Sequence, residues 1–178
     1  MRIKVYNPEV LYSEDGIVKI RRQDMEQLER KAQENDRQRI RLCAHKDVND
    51  RLHEMFIIHA RDTYVRPHKH LNKSESFHVI EGAVDVVFFD EEGGLSDVVR
   101  MGDYSSGRFF YYRIAQPLYH TLRITSEILV FHETTSGPFN RSEMVFAPWA
   151  PEEGETGRHK EYMKKLSQDV DAFSARES

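Results

Sequence analysis

Two histidines one residue apart, then a carboxylate and a glycine at set distances, constrain this chain more than any other stretch. The pattern is His68-x-His70, four residues, Glu75, six residues, Gly82. On an extended strand His68 and His70 point to one face, about 6.5–7 Å apart along the backbone. That separation lets both imidazoles lean on a single ion at roughly 2.0–2.1 Å from each nitrogen. Pro67 has no N–H and suits a strand start or a sheet edge, so it helps present the pair. A short polar turn, Leu71 to Ser74, is predicted to bring the next strand back alongside. Glu75 then offers an anionic oxygen to the same ion.

The spacing HxH(x)4E(x)6G resembles the first motif of the cupin superfamily. Its members are small antiparallel barrels of the double-sheet jelly-roll type. The resemblance implies a fourth ligand, a histidine in a second motif downstream, and His120 of Pro117-Leu118-Tyr119-His120 is the matching position. Two positions depart from the pattern: Asp62 stands where the first motif has glycine, and Ile124 where the second has asparagine. A narrower resemblance runs over about residues 39–151. Arg41-Leu-Cys43-Ala-His45, His53-Glu-Met55, Glu75 to Gly82, Pro117-x-x-His120, Glu133 with Gly137-Pro138-Phe139, and Ala147-Pro-Trp149-Ala-Pro151 resemble the WbuC family of cupin-fold metalloproteins. That family occurs among bacterial genes for O-antigen and related polysaccharide synthesis. The resemblance implies a fold, a metal site and a biosynthetic neighbourhood, without a substrate.

The chain of 178 residues is one domain's worth, and 39% hydrophobic residues suffice for one sizeable core. Lys and Arg total 26 against 30 Asp and Glu, a net charge of −4 with no basic stripe, which argues against a nucleic-acid partner. A few local arginines still suffice for a phosphorylated small molecule. One cysteine, Cys43, excludes an internal disulfide and suits a reducing compartment. The N-terminus lacks the apolar run of a signal peptide and no membrane-length apolar segment occurs, so a cytoplasmic protein with no membrane partner is expected. The cupin resemblance also implies a homodimer paired through N-terminal strands.

The predicted fold is mainly β: a cupin-type double-sheet jelly-roll barrel with a short N-terminal helix and a C-terminal amphipathic helix. Residues 1–38 form an N-terminal extension of edge strands and helix, 39–151 the barrel, and 152–178 the last helix and a frayed tail. The first helix should begin at Asp24, as N-cap with Gln27 completing a capping box, and bury Met25, Leu28 and Ala32. From Ile40 to His45 the alternation places Arg41, Cys43 and His45 on one face. Those three face either a functional interior or solvent; the family resemblance favours a pocket. Glu54 to Ala60 reads as a strand buried on both faces, with His59 an ordinary sheet histidine. Parity groups Glu75 with Phe77 and Val79, and turns His78 the other way. It also groups His120 with Leu122 and Ile124. Phe109 to Tyr112 should supply core rings, and Trp149 should plug a barrel mouth or pack beneath the last helix. Tyr162, Leu166, Val170 and Phe173 mark that helix's apolar face.

Three imidazoles and one carboxylate (His68, His70, His120, Glu75) suit one divalent transition metal, Zn, Fe, Mn, Ni or Co, over a thiolate-selective ion. Such an ion polarises a carbonyl or hydroxyl pair or activates water. A proton-transfer partner is also needed, and Glu133 and His45 are the candidates. Arg41 and Arg113 are candidates for gripping a carboxylate or phosphate, and Tyr64 for a hydrogen bond near the metal. The expected ligand is a small molecule such as a sugar nucleotide. The leading expectation is an enzyme of surface-polysaccharide assembly working by metal-assisted isomerisation, epimerisation or a related reaction. A non-catalytic metal-dependent cupin that assists a partner and a non-haem Fe(II) dioxygenase are the alternatives.

Overall fold

In the computed structural model, which describes residues 1–177, two sheets pack face to face. The strands are β1 (Ile3–Asn7), β2 (Val10–Ser13), β3 (Arg39–Cys43), β4 (Leu52–Ala60), β5 (His68–His70), β6 (Glu75–Glu81), β7 (Ala83–Phe89), β8 (Leu95–Gly102), β9 (Tyr111–Ile114), β10 (Tyr119–Ile124), β11 (Ile128–Ser136) and β12 (Met144–Phe146). Helix α1 spans Arg22–Gln33 and α2 spans Thr156–Glu177. A seven-stranded sheet runs β1-β2-β3-β4-β11-β6-β9 and a five-stranded sheet β12-β5-β10-β7-β8. The pairings are antiparallel except β2 with β3. This is the double-sheet jelly roll expected from the cupin motif. Among the described residues no helix is long and apolar enough to cross a membrane.

Strand parity sorts the side chains into three packed layers. Between the sheets lie Cys43, Met55, Ile57, Phe77, Val79, Val84, Val86, Phe88, Met101, Leu122, Ile124, Leu129 and Phe131. The other face of the seven-stranded sheet is covered too, because Ile40, Leu42, Ile58 and Val130 pack under Met25, Leu28 and Ala32 of α1. Burial on both faces explains why β4 reads as a continuous apolar run. It also resolves the alternation in β3: Leu42 packs under the helix, while Arg41 and Cys43 turn inward. On the far side α2 seats Leu166 and Val170 against Val87, Phe89 and Tyr119, with Trp149 wedged beneath it. Arg123 ties that helix down, donating from Nε to Asp85 at 2.9 Å and from Nη1 to Asp171 at 2.8 Å.

Four expectations need correction. Helix α1 starts two residues before Asp24, which sits in its first turn and accepts the Arg21 N–H at 3.0 Å. A carboxylate at this third position reaches back to the backbone N–H of the cap residue, the half of a capping box that a residue at the cap itself does not supply. Phe109, Phe110 and Tyr111 are exposed at 68%, 39% and 50%, because β9 is a sheet edge; of that run Tyr112 is the ring that packs against the interior cluster. Helix α2 continues through Glu177, so 174–177 is helical and Ser178 alone lies outside the described residues. The turn after His70 crosses between sheets, placing β5 and β6 in different layers. The β6–β7 turn is tight at Gly82, whose φ of +91° and close approach to the Ile128 carbonyl leave no room for a side chain.

Candidate metal centre

Because the chain changes sheets between β5 and β6, the motif's two halves meet across the interior and not side by side. His68 and His70 stand on β5; His120 pairs in register with His68 on the adjacent β10. Glu75 opens β6 in the opposite sheet, between Thr135 of β11 and Ile114 of β9. The ring centre of His68 lies 5.0 Å from that of His70 and 4.8 Å from that of His120. Glu75 reaches between them, Oε2 standing 3.4 Å from His70 Nε2 and Oε1 3.5 Å from His120 Nε2. The Tyr112 hydroxyl donates to Glu75 Oε1 at 3.0 Å.

The outer nitrogens decide what the inner ones can do. His68 Nδ1 faces the Arg66 carbonyl at 2.9 Å, and His120 Nδ1 the Leu118 carbonyl at 3.0 Å. A carbonyl only accepts, so both Nδ1 atoms carry a proton, and each ring when neutral offers its Nε2 lone pair to the interior. Glu75 is 4% exposed and His120 3%. Burial alone would raise the Glu75 carboxyl, but His120 and His70 outweigh it and hold it well below the usual range. Burial would lower His120, and Glu75 overrides that to raise it. His68, desolvated by its surroundings and beside two other imidazoles, is pushed down to about 3 and stays neutral.

Among the described residues no three such side chains have their donor atoms already gathered into an ion cage. The fit to a divalent cation is therefore one of chemistry and placement. Three imidazoles with two tautomers set by carbonyls, and one buried anionic carboxylate braced by a tyrosine, form a mixed N/O donor set from two sheets.

Further along the inner face stands Glu133, in register between Met55 of β4 and Phe77 of β6. Burial first and then Glu75 push its carboxyl up to about 8, against the pull of Arg41 and His120. Arg41 enters the same interior. His45 stacks on His53 at 4.2 Å between ring centres, with Nδ1 3.1 Å from the Glu54 backbone nitrogen, a placement apart from the quartet. Arg113 points to the opposite face of its strand and donates to Ser74 Oγ at 2.9 Å. Tyr64 donates to the Pro151 carbonyl at 2.9 Å and stacks on His159, so it packs beneath α2 and not near the centre. His78 is exposed and directly opposite His132, as parity predicted. Tyr112 is the contact that sequence reading missed; its place two residues before the inward Ile114 was the available signal. A groove of about 820 Å³ lies on the outer face of the seven-stranded sheet, lined by Arg21, Met25, Glu54, Phe56, Glu81 and His132, away from the quartet.

A family model described as a domain of unknown function (DUF6016) matches residues 20–101. The chain matches no curated protein. Among solved structures it is similar to the capsular polysaccharide assembling protein CapF from Staphylococcus aureus, with TM-score 0.50 and 16% identity, covering 63% of this chain and 32% of CapF. It is also similar to protein SO0799 from Shewanella oneidensis (TM-score 0.46, 10% identity, 58% of this chain and 66% of that one). The Cnp3 cupin domain of Schizosaccharomyces pombe aligns with TM-score 0.44 and 12% identity over 56% of this chain and 64% of that one. This chain thus spans less than two thirds of each of these structures' length. At these identities the likeness concerns the fold, a cupin.

Proposed function

We propose that the protein is a metal-dependent cupin acting on a small sugar or sugar-nucleotide intermediate of surface-polysaccharide assembly, by a metal-assisted proton shift. The observation that carries the reading is the cluster of His68, His70 and His120 about the buried Glu75, whose carboxylate stands 3.4 Å from His70 Nε2 and 3.5 Å from His120 Nε2. The residues that resemble the WbuC family, and a fold shared with a protein described as assembling capsular polysaccharide, support the choice of pathway class.

His68, His70, His120 and Glu75 would hold one divalent ion of the Zn, Fe, Mn, Ni or Co group. When bound, that ion supplies a Lewis acid for a substrate carbonyl or hydroxyl pair. Tyr112 keeps the Glu75 carboxylate oriented through its hydrogen bond. Glu133 is the proton carrier: burial and the neighbouring Glu75 raise its carboxyl, so it can hold a proton, give it and take one back. The apolar neighbours Leu122, Phe77 and Phe88 keep bulk water from the reacting atoms.

Elemental analysis of protein purified without added metal, beside His70→Ala, tests the foundation. About one equivalent of a transition metal in the wild type and a loss in the variant is expected; equal metal in both removes the reading. Solvent deuterium entering a candidate sugar in the presence of wild-type protein, and not of Glu133→Gln, supports catalysis. Retained ligand binding without exchange in either protein moves the reading to a non-catalytic binding cupin.

A further inference from the structure

Arg41 differs from its neighbouring cations. Arg39, on the same strand, pairs with Glu9 at 2.9 Å and Glu153 at 3.5 Å. Arg37, just before β3, pairs with the same two carboxylates at 3.4 Å and 2.6 Å. Arg41 forms no ion pair among the described residues, and its one side-chain hydrogen bond is the weak contact of Nη1 with Met55 Sδ at 4.0 Å. The groups that feel its charge are Tyr12, Cys43, His59 and Glu133, along the inner face of the seven-stranded sheet. A guanidinium carries five N–H donors, and those of Arg41 meet no protein acceptor beyond Met55 Sδ among the described residues, which leaves them open to the oxygens of a ligand.

A second group nearby is also unsatisfied. His59 is 8% exposed, and its buried Nδ1 has no hydrogen-bond partner. It sits on β4 two residues beyond Ile57, the register partner of Arg41, and on the same inner face. That is a diagonal cross-strand neighbour, about 7–8 Å away at the backbone and within reach of a long side chain. Burial pushes His59 down to about 3, so it offers a neutral ring, one N–H and one lone pair, while Arg41 supplies the charge.

We propose that Arg41 and His59 form an oxyanion subsite inside the barrel, which takes a carboxylate or phosphate group of the substrate. The subsite deepens the function proposed above, and rests on it for the claim that the anion belongs to a substrate. Register gives the spacing. Arg41 aligns with Ile57, Phe131 and Val79, while Cys43, Met55, Glu133 and Phe77 form the next row and Glu75 begins the row after that. Glu133 thus stands between the anion grip and the metal quartet.

The test uses the full chain stripped of metal with a chelator, and two probes, inorganic phosphate and acetate. Dissociation constants come from the probe dependence of the melting temperature and from calorimetry. At least one probe should bind saturably to the wild type, and the tighter one identifies the group as phosphate or carboxylate. Arg41→Met should weaken binding about ten-fold or more, because a charge-assisted bidentate pair is lost. Arg41→Lys, which keeps the charge without the fork, should weaken it by a smaller factor and serves where Arg41→Met does not fold. Arg37→Met, whose arginine is already paired outside the subsite, should bind as the wild type does. No saturable binding of either probe, or one dissociation constant shared by wild type, Arg41→Lys and Arg41→Met, overturns the proposal. Repeating the titration on His70→Ala separates the two readings. Anion binding kept there while metal is lost upholds the subsite without reference to the metal. Normal metal content with no anion binding removes the subsite alone.

Discussion

The barrel interior has two unlike ends. Along β6 the inward residues run from Glu75 to Phe77 and Val79; along β10, from His120 to Leu122 and Ile124; along β11, from Thr135 and Glu133 back to Phe131 and Leu129. One end is hydrocarbon packed to near-zero exposure, with Phe77 and Phe131 stacked at 4.1 Å. The other holds three imidazoles, two carboxyls and a phenol. The same strands serve both ends, so neither strand type nor propensity separates them. What separates them is which inward positions carry a polar group, and the lesson is that stability and chemistry divide the same strands between them.

The contrast breaks most directly at the apolar end. Phe131→Ala should cost about 3–5 kcal/mol in chemical denaturation while leaving the metal content of the folded fraction unchanged. A loss under about 1 kcal/mol would mean the apolar end is not what holds the sheets together. At the polar end, Tyr112→Phe removes the donor to Glu75. It should lower metal affinity about 10–100-fold with a stability change of about 1–3 kcal/mol, read by metal titration and melting.

Glu133→Gln sharpens the comparison through pH. A carboxyl raised to about 8 in the folded state, from a usual value near 4.5, binds its proton more tightly when folded. Its contribution is therefore fully present below the unfolded value and is lost as pH rises through the folded one. Metal-free wild type should lose stability between about pH 4.5 and 8, and Glu133→Gln should flatten that slope, with a gain on the order of a few kcal/mol near pH 8. Identical pH profiles would show that Glu133 does not titrate in the interior. The smallest effect belongs outside both ends: Arg37→Ala removes an exposed ion pair and should change stability by about 0–1 kcal/mol.

How much of this was legible in the chain follows from what parity can and cannot say. Parity correctly grouped Glu75 with Phe77 and Val79, His120 with Leu122 and Ile124, and turned His78 outward, because side-chain direction along a strand is local. Sheet membership is not local. Nothing in Leu71 to Ser74 distinguishes a hairpin from a crossing, so the sequence alone sets Glu75 beside the histidines, whereas it faces them from the other sheet. The same gap exposed Phe109 to Tyr111, whose composition reads as core but whose strand lies at an edge. Tyr64 and Arg113 have the right chemical type near the motifs, but packing beneath α2 and strand parity, respectively, take them elsewhere. Of the quartet, His120 came from the family resemblance more than from its own surroundings.

The crossing at Leu71 to Ser74 has one further consequence. With three nitrogen donors in one layer and the carboxylate in the other, a cation held by all four would act as a rivet through the sandwich. Loading it would then couple to global unfolding, stabilising the fold by about 2.7 kcal/mol at a hundred-fold excess over the dissociation constant, so that the melting temperature rises with ion concentration. A hairpin motif, with every donor on one sheet, would have left the two layers free to part.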